Sequence, residues 1–442
     1  MSVTLPKLVF VGYGKTLWLS VIFLRLFAAG LVIICAFSAC ADELRSWDME
    51  TWGTVATKGR VFLDKPLNRQ QSSHHAELIF ESTVHWENSS GNSFTFRPHI
   101  RAGRSDANVA AADVREAYFL TFGNAEKFEW EFRLGIDQVF WGTTESTNLV
   151  NIVNQTDFAA DPFGDERLGQ PMVHGTIAGD YGILSLLVLP YHRPRTFPGF
   201  EGRFRTHPWI SDRSSDILYE HPDGKRHVDF AARYGTSIGF LDFGISIFEG
   251  TAREPLLVLN GCTEQQILSS YLQDKTCRFQ QIYNQIEQGG LDIQVTLGDF
   301  LGKMEVVRRN GFPPTGYYNA FVVGGEYALY NVFESDADLT LFSEWIHDER
   351  RENATNTFQN DLFMAARYNL NDVSDTSFTV SVIDDLDYST RSLNLLFERR
   401  LTDSVSIDIE SFLFLKPPEQ EDQIYFPLRD DAFLGINLVY GF

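Results

Sequence analysis

The last twelve residues of the chain alternate with period two to its very end. Ala432, Leu434, Ile436, Leu438, Tyr440 and Phe442 fall on one face, and Asp431, Phe433, Gly435, Asn437, Val439 and Gly441 on the other. This is a strand with one continuous apolar face that stops on an aromatic residue, with no turn or tail after it. Residues 76–86 repeat the pattern, Leu78, Phe80, Val84 and Trp86 alternating with Glu77, Glu81, Thr83 and His85. So do 94–102, with Phe94, Phe96 and Ile100 against Thr95, Arg97, His99 and Arg101, and 128–136, with Phe128, Trp130, Phe132 and Leu134 against Glu129, Glu131 and Arg133. Later copies run through Leu241–Ile247, 291–297 and 406–415. A helix does not produce such alternation. Apolar faces sustained over about ten positions in many strands exceed what the core of one soluble sandwich buries.

Aromatic rings settle where hydrocarbon meets water, so Phe442, with Tyr440 two positions earlier on the same face, suits the exit of a strand from a bilayer. On these residues the chain resembles the bacterial outer-membrane β-barrel proteins, whose last strand ends in Phe and is read by the barrel-assembly machinery. The resemblance implies Tyr440 and Phe442 as an insertion signal. It also implies the outer membrane as location, with its lipid and lipopolysaccharide as surroundings. Trp86, Trp130 and Trp345 fall on outward faces and are assigned to interfacial girdles.

Connections provide an independent check. Short links are expected near 87–91, 123–126, 179–181, 298–300, 371–373 and 401–404, and longer ones near 142–170, 192–225, 251–280 and 417–430. With a first strand at about 50–62, short and long links keep one parity to Phe442, which puts every long loop on one side, outside the cell. The predicted fold class is all-β: a transmembrane antiparallel β-barrel of about 18 strands in a single domain over 42–442. Sixteen strands is the alternative, because 172–178 and 183–191 alternate poorly. No soluble plug domain is expected before the first strand.

The beginning of the chain reads as a leader. Lys7 and Lys15 precede an apolar run over 17–37 that only Arg25 interrupts, and Asp42 is the first acid. Ala39-Cys40-Ala41 fits a small-x-small cleavage site, which assigns 1–41 to a signal peptide. Arg25 would be costly at the centre of a retained membrane anchor. Cys40 after Ser38-Ala39 leaves a lipid-acceptor reading open, against which Phe37 stands where Leu is favoured. After Asp42 no run of eighteen apolar residues appears, which excludes helical spans from the mature chain.

The formal charge of -22 becomes -25 once a leader with three basic and no acidic residues is removed. Such a balance argues against nucleic acid as a partner. Aromatics at 14% beside charged residues at 22% suit strands that face lipid on one side and water on the other. Of the 4 Cys, Cys262 and Cys277 lie beyond the leader, and export would oxidise them to a disulfide. Without neighbouring His they do not make a zinc site. No cofactor or metal is expected.

An eighteen-stranded barrel leaves an aqueous lumen unless loops fill it, so function depends on what narrows the pore. The segment 142–170 carries Val150, Ile152, Val153 and Phe158, too apolar for a solvated surface loop, and is expected to fold into the barrel. Porins use an inward loop in this way. FWGTTES, VNIVNQTDF and LGQPMV, within residues 140–173, resemble a stretch of uncharacterised porin-like outer-membrane proteins, and that likeness implies no substrate. The acids Glu145, Asp157, Asp161, Asp165 and Glu166 lie on this loop, and Arg97, Arg101, Arg133, Arg233 and Arg367 on the wall. Either the two sets face each other across a constriction, setting a transverse field, or they pair as salt bridges that hold the loop. The acid spacing misses the EF-hand pattern.

Arg308-Arg309 and Arg399-Arg400 read as rim charges. Inward Phe342, Phe363, Phe412 and Phe414 form either a solute track or packing for the loop. The expected function is a porin-like passive diffusion channel for small polar or charged solutes, with cations favoured by the net charge. The alternatives are a channel for specific or hydrophobic substrates and, less favoured, a barrel enzyme. An enzyme needs a nucleophile paired with His at the rim. Of the 10 His, His174 and His192 are the pair to watch. A homotrimer is a state common among porins that the sequence leaves open.

Overall fold

The computed structural model describes residues 47–103, 110–263, 275–313, 316–351, 354, 358–419 and 426–442. The expected leader 1–41, with Cys40 and the cleavage site, lies outside the described residues.

Period-two segments form strands wherever the sequence shows them. The first seven are β1 (Trp47–Phe62), β2 (His74–Asn88), β3 (Ser93–Gly103), β4 (Ala111–Ala125), β5 (Phe128–Asp137), β6 (Gln170–Gly179) and β7 (Gly182–Leu189). Two short strands follow, β8 (Trp209–Ile210) and β9 (Ile217–Tyr219), then β10 (Asp229–Ile238) and β11 (Leu241–Thr251). After β12 (Leu256–Asn260) and β13 (Arg278–Tyr283) come β14 (Gln285–Leu297), β15 (Phe300–Phe312), β16 (Gly316–Leu329) and β17 (Asp338–Asp348). The chain ends with β18 (Asn360–Asn369), β19 (Ser377–Asp385), β20 (Arg391–Thr402), β21 (Val405–Lys416) and β22 (Phe433–Gly441).

All but β8, β9, β12 and β13 join one 18-stranded sheet in which sequence neighbours pair antiparallel. The sheet closes where β1 pairs β22, from Thr54 opposite Gly441 to Phe62 opposite Phe433. Closure leaves no unpaired edge, the condition for a sheet in hydrocarbon. The fold is therefore a transmembrane antiparallel β-barrel of eighteen strands. The sixteen-strand alternative fails, since β6 and β7 both belong to the wall. They alternate poorly because Met172, Leu187 and Leu189 on their inner face are buried under a loop and so are apolar too.

Side chains sort by parity as the sequence indicates. On β22, Leu434, Ile436, Leu438 and Tyr440 stand exposed outside while Phe433 is fully buried inside. On β5, Phe128, Trp130, Phe132 and Leu134 face outward in the same way. Pro98, which cannot donate to a ladder, sits at a register shift between β3 and β4. Among the described residues, no helix is long and apolar enough to cross a membrane.

Links at one end of the barrel contain two to eight residues, and both described termini lie there. At the other end they contain three to 39. The longest two, 190–228 and 252–284, share a small sheet in which β12 and β13 form a hairpin and β8 and β9 pair parallel to β13. A Cys262–Cys277 disulfide, 15 residues apart in sequence, closes that hairpin.

Candidate functional site

The link 138–169, between β5 and β6, is fastened to the inner wall by two glutamates. Glu305 on β15 is 0% exposed. Its Oε1 accepts the amide of Thr143 at 2.7 Å, the amide of Thr144 at 3.2 Å and the Thr144 hydroxyl at 2.8 Å, and its Oε2 accepts the amide of Val150 at 3.2 Å. Glu344 on β17 accepts the amides of Glu145 at 2.9 Å and Ser146 at 2.8 Å. Successive amides turned toward one carboxylate form a small anion cradle, which removes the penalty of burying the charge. Other inward positions near the clamp are apolar. Val150, Ile152 and Val153 pack on Phe248, Ile286, Val307 and Ala320, each contributing about 2 kcal/mol by burial.

The neck of the loop is tied by Asn154. Its Nδ2 donates to the carbonyls of Asp137 and Leu168, each at 2.9 Å, and its Oδ1 accepts the amide of Val139 at 2.8 Å. Beyond the neck the chain turns to the opposite wall. Asp157, buried, accepts from Arg115 Nη2 on β4 at 3.0 Å and from the Thr196 hydroxyl at 2.5 Å, and lies 3.6 Å from Arg101 Nη1 on β3. Burial works to raise its pKa, but Arg101, the Thr196 hydroxyl and Arg115 outweigh it and hold the carboxyl below its ordinary value. Phe163 ends the span against Phe412, at 5.1 Å between ring centroids, and near Phe204 and Phe433. One loop thus touches β15 and β17, then β3 and β4, then β21 and β22, and so lies across the lumen.

The structure brings together only some of the residues expected at a constriction. Asp157 lies 3.6 Å from Arg101, and Glu166 lies 3.7 Å from Arg115. Glu145 pairs with Lys303 at 2.7 Å. Asp161 caps its own turn by accepting the Asp165 amide at 3.0 Å, and burial with the Asp161 charge holds the Asp165 carboxyl above its ordinary value. The other wall arginines do not face the loop acids. Arg97 pairs with Glu116 at 2.8 Å, Arg133 with Glu131 at 2.8 Å and Asp137 at 3.0 Å, and Arg233 with Asp292 at 2.6 Å. Arg367 lies over the Phe342 ring at 5.2 Å. The physical reason is proximity: Arg133 meets carboxylates on its own strand, Arg97 one on the adjacent strand and Arg233 one across the intervening β11, so each is paired on the wall.

Glu305, Glu344, Lys303 and Arg115 were not singled out from sequence. Their signal was an acid or base at inward parity beside inward apolar residues such as Val307 and Ile346, which shows a wall covered by something polar enough to satisfy it. Inward Phe412 and Phe414 pack with each other, and Phe412 packs also with the loop's Phe163. His192 is buried against Tyr219 and Tyr283, and its ring nitrogens face the Tyr219 hydroxyl and the Ala252 carbonyl. Burial pushes its pKa well below the ordinary value, so it is neutral. His174 contacts the Thr176 hydroxyl on the β6 wall at 3.2 Å. Among the described residues, no three His, Cys, Asp or Glu side chains are grouped to hold a metal ion.

Two cavities open within the barrel, and one of them borders the loop. One of about 620 Å³ opens toward the short-link end among inward Thr54, Ser377, Glu398, Ser406 and Asp408. Another, of about 200 Å³, lies between the loop, β15–β17 and the links at the long end.

Fold and loop together define a closed eighteen-stranded transmembrane barrel with one loop laid across its lumen. No protein-family model matches the chain, and no curated protein does. Among solved structures it is similar to the porin of Rh. blastica in mutant forms: a triple mutant is 10% identical, with a TM-score of 0.42 over 89% of this chain and 100% of that one. It is similar also to outer-membrane expressed OmpT of Vibrio cholerae, 9% identical, with a TM-score of 0.42 over 90% of this chain and 98% of that one. At such identities and scores the likeness carries no functional information.

Proposed function

We propose that the chain is a passive diffusion channel for small polar or charged solutes in a bacterial outer membrane. The observation that carries this reading is the loop 138–169, clamped across a closed barrel by Glu305 and Glu344 yet leaving a cavity beside it, with a second, polar-lined cavity among wall residues at the short-link end. A loop tied to the wall narrows a lumen without moving, so selection acts through width and charge rather than through a cycle of conformations. The outward apolar girdle would sit in lipid, with lipopolysaccharide against its outer rim and Tyr440 and Phe442 serving the assembly machinery.

Swelling of proteoliposomes in isotonic sugars of graded size tests the reading. Entry of small sugars with a sharp upper size limit is expected. Liposomes with verified, heat-modifiable barrel that remain impermeable to every small solute would refute it.

A further inference from the structure

The cavity of about 200 Å³ beside the loop is lined by five arginines, Arg167, Arg195, Arg253, Arg309 and Arg350. Their carboxylate partners are fewer. Glu254 is shared by Arg309 at 3.2 Å and Arg350 at 3.1 Å, Asp348 also pairs with Arg350 at 2.7 Å, and Asp229 pairs with Arg253 at 2.8 Å. Among the described residues Arg167 and Arg195 have no ion pair. Both are instead held in place by neutral groups of the loop. Arg167 Nη1 donates to the Thr156 hydroxyl at 2.7 Å, and Arg195 Nε donates to Gln155 Oε1 at 3.3 Å while its guanidinium lies 5.2 Å from the Phe158 ring centroid.

A separate observation points the same way. Arg253 is only 5% exposed, and its Nη2 is a buried donor with no hydrogen-bond partner among the described residues. A buried guanidinium nitrogen without an acceptor is costly unless something else supplies one. Burial and the neighbouring Arg195 push Arg167 down to about 10, which still leaves it charged at neutral pH. Asp165 and Glu254 act on Arg167 and Arg195 only at a distance.

We infer that this cavity is a binding site for a small oxyanion, a carboxylate or a phosphate, on the path through the barrel, and that it makes the channel prefer anions. Guanidinium forks match the planar or tetrahedral oxygens of these groups, two hydrogen bonds at a time. The volume admits a small anion and not a polymer. The chain's net charge of -22 points to cations, but that charge is spread over the whole molecule, whereas the field at a narrow, low-dielectric passage is set by the side chains that line it. The inference rests on the channel reading for its transport consequence and on the cavity alone for binding.

Two measurements separate these. Isothermal titration of the refolded barrel with inorganic phosphate and with succinate reads binding; planar-bilayer current in potassium chloride, with either anion added, reads transport. Wild type is expected to bind at least one oxyanion, to lose chloride current as it is added, and to show a reversal potential of anionic sign. Response to one anion and not the other assigns the site to phosphate or to carboxylate. The double substitution Arg167→Gln, Arg195→Gln is expected to weaken binding and block about tenfold or more, and Arg167→Lys, Arg195→Lys less, since charge survives without the fork. Binding without conductance would keep the site and discard the channel. A wild-type barrel that conducts with cation preference and neither binds nor is blocked by either oxyanion would overturn the inference.

Discussion

The carboxylate of Glu305 accepts both the amide and the hydroxyl of Thr144, at 3.2 and 2.8 Å, from a buried position on β15 between Lys303 and Val307 and opposite Asp292 and Val322. The pair makes the wall strand, rather than the loop, the holder of the negative charge. Amides and a hydroxyl are less demanding partners than an arginine, because they satisfy the carboxylate without bringing a second ion that must itself be desolvated.

Glu305→Gln keeps the shape and removes the charge. Charge-assisted hydrogen bonds weaken to neutral ones, and one lone-pair position becomes a donor facing donors. Loop docking is expected to lose on the order of 2 kcal/mol. Faster hydrogen exchange at Thr143, Thr144 and Val150, with barrel strands unchanged, is the expected readout.

The opposite anchor is sensitive to acid. Because the folded pKa of Asp157 is held below its ordinary value, its pairing with Arg101 and Arg115 contributes full stability above that ordinary value, about 4. The contribution is lost as pH falls through the lower folded value. Current noise from loop movement is therefore expected to rise below about pH 4. Asp157→Asn leaves buried Arg115 without its closest carboxylate and is expected to cost about 3 kcal/mol and to show that noise already at pH 7. A noise profile flat from pH 7 to 3 in both proteins would count against the anchor.

The barrel seam depends on Gly53. Its amide and carbonyl exchange hydrogen bonds with Phe442, each at 3.0 Å. A Cβ there would stand 2.5 Å from the Glu81 carbonyl oxygen and 2.9 Å from the Phe442 ring. Gly53→Val is expected to destabilise the barrel by about 3 kcal/mol. Loss of the heat-modifiable band at lower temperature on a gel would register it.

Much of the fold was legible because a barrel wall writes itself in period two. Leu434, Ile436, Leu438 and Tyr440 show the register without help, and link lengths supply the parity. The strands that alternate poorly, β6 and β7, are those whose inner face carries Met172, Leu187 and Leu189 under the loop. The loop was betrayed by Val150, Ile152 and Val153, too apolar to be exposed. What held it was not legible: Glu305 and Glu344 resemble any lumen acid until the amides of residues 143–150 are placed against them. Nor was the small sheet, since β8 and β9 contain two and three residues and their partner β13 comes about sixty residues later. Arg167 and Arg195 were missed as a site for the same reason, because two different links bring them together.

The Cys262–Cys277 bond closes the hairpin of β12 and β13 and not the barrel. Its removal by Cys262→Ala with Cys277→Ala is expected to cost roughly 3 kcal/mol of local stability. Protease cutting between the two positions should quicken, and the heat-modifiable barrel band should stay as it is.

The most direct measurement is single-channel conductance of the refolded barrel, compared with Glu305→Ala, Glu344→Ala, in which both wall clamps are removed. Small, steady, ohmic steps are expected for the wild type and larger, noisier steps for the variant, because the loop is then free to leave the wall that positions it. Identical steps from both proteins, or no steps from wild-type barrel of verified fold, would contradict a channel narrowed by a loop that Glu305 and Glu344 hold in place.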